Sequence, residues 1–320
     1  MIAFGPVPSR RLGRSLGINN IPPKICTYSC VYCQLGRTLK LQAHRQAFYD
    51  PEDVRISVQD RIIKAGKTGQ AIDYLTFVPD GEPTLDINLG LEIERLKNFN
   101  LPIAVITNAS LIWRQDVREL LLSADWVSLK FDAIDEGAWR RVNRPHQSLK
   151  LASILEGALR FAKSYKGKLV TETMLVAGVN DGEDQLVAIA DFIARLKPSV
   201  AYLSIPTRPP AEKWVRAPEE RSLNNAYQRL HERVRRVEYL IGYEGNAFAF
   251  TDDVVQDLLS ITAVHPMRQD AVKDYLAQAG AAWSVVRKLL EEGELVETKH
   301  GIHVFYLRKP RTPGKIILSR

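Results

Sequence analysis

Cysteine is scarce in this chain of 320 residues, which holds three. So few cannot form the paired framework that staples small secreted domains. Long apolar runs are missing too: nothing approaches the roughly 20 residues that span a bilayer, and Met1 to Arg10 lacks the apolar centre of a signal peptide. The expected location is therefore cytoplasmic, a compartment that keeps thiols reduced. No long repeat and no low-complexity segment interrupts the chain. What is present is ordinary for a folded protein: 45% apolar residues, ample for a core, and a length that predicts about two domains. The net charge of +7 and a pI near 9.2 suggest contact with a polyanion, but the position of the charge matters more than its sum. From Asn246 to the end, ten Lys and Arg stand against nine Asp and Glu, a net +1. The excess lies earlier, at Arg10, Arg11, Arg14, Lys24, Arg37, Lys40 and Arg45, and again at Arg140, Arg141 and Arg144. A solvated basic face and an anionic substrate both fit that distribution.

The three cysteines fall within eight residues, Cys26, Cys30 and Cys33 in CTYSCVYC. Thiolates are the soft ligands that iron-sulfur clusters select. The CxxxCxxC spacing lets one short loop hold three irons of a [4Fe-4S] cluster and leaves the fourth free to bind a small molecule. Zinc is a rival reading, but structural zinc takes four closed ligands and the nearest histidine, His44, sits eleven residues beyond the last cysteine. Buried thiols without a ligand are the third reading.

With Tyr32 just before the third cysteine, the run resembles that of the radical SAM superfamily. The likeness continues through GPVPSRRLGRSLGI (Gly5 to Ile18), CTYSCVYCQLGRT (Cys26 to Thr38), DGEPTL (Asp80 to Leu85), ITNAS (Ile106 to Ser110), SLKFDA (Ser128 to Ala133), RRVNRPH (Arg140 to His146), ETMLVAGVND (Glu172 to Asp181) and PTRPPAE (Pro206 to Glu212). It is similar to stand-alone members grouped with wyosine-type tRNA-modifying Fe-S oxidoreductases. The resemblance implies a cluster on the three cysteines, with S-adenosylmethionine chelating the open iron through its amino and carboxylate groups. It implies reductive cleavage of that cofactor to methionine and a 5′-deoxyadenosyl radical that abstracts hydrogen from a substrate. A one-electron donor such as flavodoxin or ferredoxin is the implied partner. Tyr32 is expected near the adenine. Gly81, Glu82 and Pro83 match the superfamily's GGEP motif, whose backbone receives the cofactor's amino group, with Asp80 in place of the first glycine.

Apolar runs alternate with amphipathic ones between Asp73 and Ile205. Strands are expected at Tyr74 to Val78, Ile103 to Thr107, Trp126 to Phe131, Leu169 to Leu175 and Ala201 to Ile205. Helices are expected at Leu89 to Phe99, Arg114 to Leu122, Leu151 to Tyr165 and Asp184 to Leu196. Strands separated by helix-length crossovers imply a parallel α/β sheet. With the strand feeding the cysteine loop this makes about six βα units, a partial (β/α)6 barrel, which is also the superfamily's fold. Beyond the Pro-rich stretch at 206–220, a helix is expected from Arg221 to about Tyr239, and a linker or short strand at Gly242 to Phe250. Three short helices (Asp252 to Ile261, Arg268 to Ala279, Ala282 to Glu292) and two strands (Glu294 to Lys299, His303 to Leu307) describe a small α+β winged helix-turn-helix. The basic tail RKPRTPGKIILSR is expected to fray. The two domains expected are residues 1–245 and 246–320.

Ligands of parallel folds collect at the C-terminal strand ends, where the motifs fall. Asn108 is placed to orient the cofactor or to make a turn. Lys130 and Asp132 alternate with Leu129 and Phe131, which puts both charges on one face of a strand, as catalytic groups or as an ion pair with each other. Lys130 is also a candidate Schiff-base amine for a carbonyl co-substrate. Glu172, with Thr171, Thr173 and Asn180, offers contacts for ribose or substrate. Arg140, Arg141, Arg144, His146 and Arg208 are candidate substrate contacts, since guanidinium binds phosphate and carboxylate bidentately.

With every cysteine committed to one cluster, a second cysteine-held cluster and a methyl-carrying cysteine are both excluded. That argues against sulfur insertion, against cysteine-dependent RNA methylation and against making the wyosine precursor. The expected activity is a radical SAM oxidoreductase acting on tRNA or another macromolecule. Two readings compete with it, a glycyl-radical-enzyme activating protein and a non-catalytic Fe-S/SAM-sensing DNA-binding regulator.

Overall fold

The computed structural model describes residues 1–241, Phe248 and residues 253–309. A hairpin of β1 (Ala3–Ser9) and β2 (Gly13–Ile18) leads to two short strands, β3 (Ile25–Cys26) and β4 (Lys40–Leu41), that bracket the cysteine loop. Then come α1 (Pro51–Lys67), β5 (Tyr74–Phe77), α2 (Leu89–Leu96), β6 (Ile103–Thr107), α3 (Gln115–Leu121) and β7 (Trp126–Lys130). They are followed by α4 (Glu136–Asn143), α5 (Leu151–Ser164), β8 (Lys168–Met174), α6 (Glu183–Leu196), β9 (Val200–Ser204), α7 (Glu220–His231) and β10 (Val237–Leu240). The last elements are α8 (Val254–Val264), β11 (Met267–Arg268), α9 (Gln269–Gln278), α10 (Ser284–Glu291), β12 (Leu295–His300) and β13 (His303–Arg308).

Eight strands form one sheet in the order β1-β2-β5-β6-β7-β8-β9-β10. Only the β1–β2 pair is antiparallel. The spatial order follows the chain without reversal, so right-handed crossovers place every helix on the same face, and the sheet curls into an open half barrel. Residue alternation sorts the two faces. Val105, Val127, Leu129 and Leu169 point outward into the core shared with the helices, and Ala201 and Leu203 pack against α6 and α7. Ala104, Trp126, Val170, Val200 and Tyr202 form an apolar floor on the concave face with Leu12 and Leu240. Higher on the same face the side chains turn polar, at Ser128, Lys130, Glu172 and Ser204.

The expected strands and helices of the barrel are present within a residue or two, except that α2 passes into a 3-10 turn at Lys97–Phe99 and that the end of the barrel differs. The helix expected from Arg221 to Tyr239 stops at His231, and Val237–Leu240 is instead the last parallel strand, with Val237 opposite Ala201 and Leu240 opposite Ser204. The helical period continues past His231, but β9 presents an open edge, and pairing with it satisfies backbone groups that a longer helix would leave on the surface. Helix α1 was not anticipated, although its start is written in the sequence: Asp50 accepts a hydrogen bond from the Glu52 amide, Pro51 occupies the first turn and Glu52 and Asp53 follow.

The C-terminal unit has its own core, built around Leu258, Met267, Tyr275, Leu289 and Tyr306. Its three helices pack on an antiparallel sheet ordered β11-β13-β12, and β12 and β13 turn at Gly301 (φ 58). It is fastened to the barrel by a buried ion pair, Arg61 of α1 to Asp257 of α8 at 2.7 Å. The expected linker at Gly242 to Phe250 lies, apart from Phe248, outside the described residues, as does the tail beyond Lys309 and the 245/246 boundary.

Candidate active site

The cysteine loop leaves β3 and is held on two sides. On one, Gly81 bridges to Ile25, and a Cβ at Gly81 would lie 1.9 Å from the Ile25 carbonyl oxygen, so only glycine permits this approach. On the other, α4 ends with carbonyls that no helical amide can reach. The Val31 amide takes the Val142 carbonyl at 2.9 Å, and the Ser29 amide takes that of Asn143 at 3.0 Å. The RRVNRPH segment thus serves the loop chiefly through its backbone and through Asn143.

Cys26, Cys30 and Cys33 are half-buried free thiols. Two of them receive amide donors: Asn108 Nδ2 lies 3.6 Å from Cys26 Sγ, and Asn143 Nδ2 lies 3.4 Å from Cys30 Sγ. Burial pushes all three thiols up, Cys30 to about 12, and neighbouring sulfurs add to it at Cys26 and Cys30. Bound cationic iron reverses that balance and holds thiolates outright. Among the described residues no three His, Cys, Asp or Glu side chains converge as the ligands of one ion do. Three soft sulfur donors carried on one short loop are a set that suits an iron-sulfur cluster.

Glu82, 1% exposed, is consumed inside the protein. Its Oε1 accepts from the Thr84 amide (3.0 Å) and from the hydroxyls of Thr84 and Thr107 (both 2.6 Å), and its Oε2 accepts from the Asn108 amide at 2.8 Å. This carboxylate ties the end of β5 to the end of β6, so the Gly81-Glu82-Pro83 turn has only backbone to offer a ligand. Asn108 donates to Thr27 Oγ1 at 2.8 Å and accepts from the Ser110 amide at 2.9 Å, which makes it at once a turn residue and a neighbour of Cys26.

Across the concave face, Lys130, Glu172 and Tyr202 stand abreast on β7, β8 and β9. Glu172 accepts from Lys130 Nζ at 3.0 Å, from Ser204 Oγ at 3.1 Å and from Arg11. Burial opposes its charge, yet the two cations hold it down to about 2. Arg11 also lies over the Trp126 ring, and the Lys130 ammonium is 4.8 Å from the centre of the Tyr32 ring. The ion pair between Lys130 and Asp132, the alternative to a catalytic role for them, is not formed. The strand ends at Lys130, and Asp132 instead accepts from Tyr32 OH, from Asn143 Nδ2 at 2.7 Å and from the Met174 amide at 2.8 Å. Thr173 and Asn180 likewise bond internally, to the carbonyls of Phe131 and of Asp132 and Met174.

The arginines expected at the substrate lie apart from this group. Arg140 pairs with Glu136 at 2.7 Å on the exposed side of α4, and Arg141 donates to the Gly178 carbonyl at 3.1 Å. Arg144 and Arg37 both hold Glu212, at 2.5 and 3.0 Å, which pins the PTRPPAE segment to the cysteine loop. His146 is half-buried and contacts Ser148 at 2.8 Å. Arg208 reaches Gln34 Oε1 at 2.7 Å, one residue past Cys33. Sequence reasoning missed Asn143 and Ser204, and it noted Arg11 and Lys24 only as part of the basic charge around the loop. Arg11 and Asn143 stood inside quoted motifs, but only the fold shows which polar residue turns inward.

This fold, with one thiol loop at the C-terminal strand ends, defines an α/β half barrel that carries its three cysteines as one candidate metal-binding set. The family description "Radical SAM superfamily" matches residues 20–193, more than half of the chain, and the chain belongs to that superfamily. Over 316 residues, 98% of each chain, it is 46% identical to the UPF0026 protein MJ1312 of Methanocaldococcus jannaschii. Over 225 residues, 69% of this chain and 71% of the relative, it is 36% identical to a UPF0026 protein of Helicobacter pylori J99. A solved structure of TYW1 with a lysine-pyruvate adduct bound shares the fold at TM-score 0.53 and 17% identity, covering 69% of this chain and 74% of that one. Among the described residues no helix is long and apolar enough to cross a membrane.

Proposed function

We propose that this enzyme carries one [4Fe-4S] cluster on Cys26, Cys30 and Cys33 and binds S-adenosylmethionine beside it. When bound, that pair supplies reductive cleavage of the cofactor and, from the 5′-deoxyadenosyl radical, hydrogen abstraction from a substrate. The observation that carries the reading is the thiol loop clamped between Gly81 and the end of α4, with amide donors at two of its sulfurs. Such N–H···S contacts are among the levers by which a protein sets cluster potential. Glu82 keeps the β5 and β6 ends in register beneath the loop, and Tyr32, locked by Asp132, closes its inner side.

Lys130 acts here as a fixed positive charge. A structure of TYW1 has a lysine-pyruvate adduct bound, but forming such an adduct needs a neutral amine. Burial works against the Lys130 ammonium, and Glu172 and Asp132 more than offset it, so its pKa lies above the ordinary lysine value. Arg11, Lys130 and Glu172 line the concave face as groups that orient a polar substrate. That substrate is taken to be tRNA or another macromolecule, given the basic charge around the loop. Residues 246–320, with three helices and a β hairpin, are read as a winged-helix domain that helps to engage it. A flavodoxin or ferredoxin of the cytoplasm is the proposed reductant.

The test is anaerobic reconstitution with iron and sulfide, then dithionite, S-adenosylmethionine and assay of 5′-deoxyadenosine, with Cys30→Ala as control. Cysteine-dependent product is expected, and an intact cluster that yields none would overturn the assignment. Acceleration by bulk tRNA, lost as salt rises, would support the nucleic-acid substrate.

A further inference from the structure

The cysteine loop has two sides. Tyr32 closes the inner one, towards the concave face, with its hydroxyl on Asp132. The outer side is formed by β4, which pairs with β3 so that Lys40 stands opposite Ile25 and Leu41 opposite Cys26. The amides of Leu39 and Lys40 both donate to the Lys24 carbonyl at 3.0 Å, and the Gly36 amide donates to the Cys33 carbonyl at 3.0 Å. On this side a single stretch of chain lies between the thiol loop and water. It is exposed and it carries leucines: Leu39 is 62% exposed and Leu41 40%. Because β3 and β4 form a sheet of two strands, the far edge of β4 is unpaired among the described residues. A second segment is tied to this stretch. Arg37 holds Glu212 through Nε at 3.0 Å and Nη2 at 3.1 Å, and the Glu212 amide donates to the Val31 carbonyl at 3.0 Å. Lys213 and Trp214, the latter 48% exposed, follow directly.

Apolar side chains left in water beside an open strand edge mark a surface made to be covered. Charge around them has one sign. No acidic residue occurs between Gln34 and Tyr49, and the one acid of the 206–216 segment, Glu212, is shared by Arg37 and Arg144. Lys40 and Lys213 are exposed and enter no ion pair among the described residues. An apolar centre with a cationic rim is complementary to a protein surface of the same layout and opposite charge. A nucleic-acid backbone would use the lysines but leave the leucines and the strand edge without a role. Electron tunnelling falls off exponentially with distance, so a donor protein has to bring its redox group close to the cluster, and here only β4 intervenes.

We propose that the outer face of the cysteine loop, centred on Leu39, Leu41 and Trp214, docks an acidic one-electron carrier protein. The carrier's reduced group gives up one electron and the cluster takes it, with no bond made or broken. The proposal rests on the reading of the loop as a cluster site, and its test reads binding, so the two fail separately. The experiment uses the full chain, reconstituted under anaerobic conditions, and follows the fluorescence anisotropy of a labelled acidic flavodoxin and, separately, of a labelled acidic ferredoxin. Saturable binding of at least one carrier is expected, weakened about tenfold by Lys40→Glu and by Leu39→Gln. Lys166→Glu, the same charge reversal at an exposed position just before β8 and so at the N-terminal strand ends, should leave it unchanged. Iron per chain and reduction of the cluster by dithionite, which needs no docking, check that each variant keeps its loop. Two outcomes would overturn the docking surface: no saturable binding of either carrier, or equal loss in Lys166→Glu. A third would assign the face to RNA instead, namely carrier binding indifferent to Leu39→Gln together with a single-stranded oligoribonucleotide whose binding is lost in Lys40→Glu. A chain that dithionite cannot reduce would overturn the cluster reading, whatever the carriers do.

Discussion

The two sides of the concave face handle a buried glutamate in opposite ways. On the β5–β6 side Glu82 has four neutral donors and no cation bonded to it, and burial raises its pKa against those hydrogen bonds. On the β7–β9 side Glu172 has two cations, and its pKa falls to about 2. A carboxylate held by backbone amides and hydroxyls fixes the position of strand ends. One held by Lys130 and Arg11 keeps charge available at a surface that faces the cavity of the half barrel. The first arrangement suits a scaffold for the cysteine loop and the second suits a wall that meets substrate.

The largest effect is expected from breaking the charged side. Glu172→Ala leaves two partly buried cations without their counter-ion, a change that typically costs about 3–5 kcal/mol. Urea unfolding of the full chain would measure it, and adding Lys130→Met to Glu172→Ala should recover part of the loss. A single replacement costing under about 1 kcal/mol would show that water screens the pair. Glu82→Gln should cost less in stability, about 1–3 kcal/mol, because the amide still accepts at one oxygen while its NH2 confronts a donor. Its larger consequence is expected at the loop, as reduced iron per chain after reconstitution, whereas Glu172→Ala should keep its iron. Equal iron loss in both variants would erase the distinction between scaffold and wall.

Acidity separates the sides further. Under the β5–β6 side, burial and the adjacent Asp86 push Glu92 up to about 9. A carboxyl raised in the folded state contributes stability fully present below its unfolded value, about 4.5, and lost as pH climbs towards 9. Glu172, lowered instead, contributes above that unfolded value and loses its contribution as pH falls towards 2. Glu92→Gln should therefore flatten the fall of stability between about pH 5 and pH 9 and leave the acid limb unchanged. A parallel displacement of both limbs would mean that Glu92 is not the group titrating.

Much of this division was legible in the sequence. Trp126-Val127-Ser128-Leu129-Lys130 announces a strand with one polar end, and the alternation correctly places Lys130 on the concave face. Its partner was not legible, because Lys130 meets Glu172 only through strand pairing 42 residues away, while local proximity offered Asp132 as the alternative partner. The same limit explains β10, whose helical period is overridden by the free edge of β9. It also explains RRVNRPH, where three arginines drew attention from Asn143, the one side chain there that reaches a cysteine.

Lys24 tests whether the neutral side is neutral throughout. Its ammonium is buried, has no hydrogen-bond acceptor within reach and lies 3.6 Å from Asp80, the residue that replaces the first glycine of the GGEP pattern. It is also the charge that most lowers the pKa of Cys33 against burial. A cation beside a cluster stabilises its reduced, more negative state. Lys24→Met is therefore expected to lower the midpoint potential of the reconstituted cluster, on the order of 50 mV for one partly compensated charge. Asp80→Asn should move it in the opposite direction. An EPR-monitored redox titration reads both without any turnover. Opposite shifts would place a tuned charge pair within the scaffold, and a common direction would trace both effects to loss of the loop's geometry, since the Lys24 amide also bonds the Asp80 carbonyl at 2.7 Å and the two residues move together when either is disturbed.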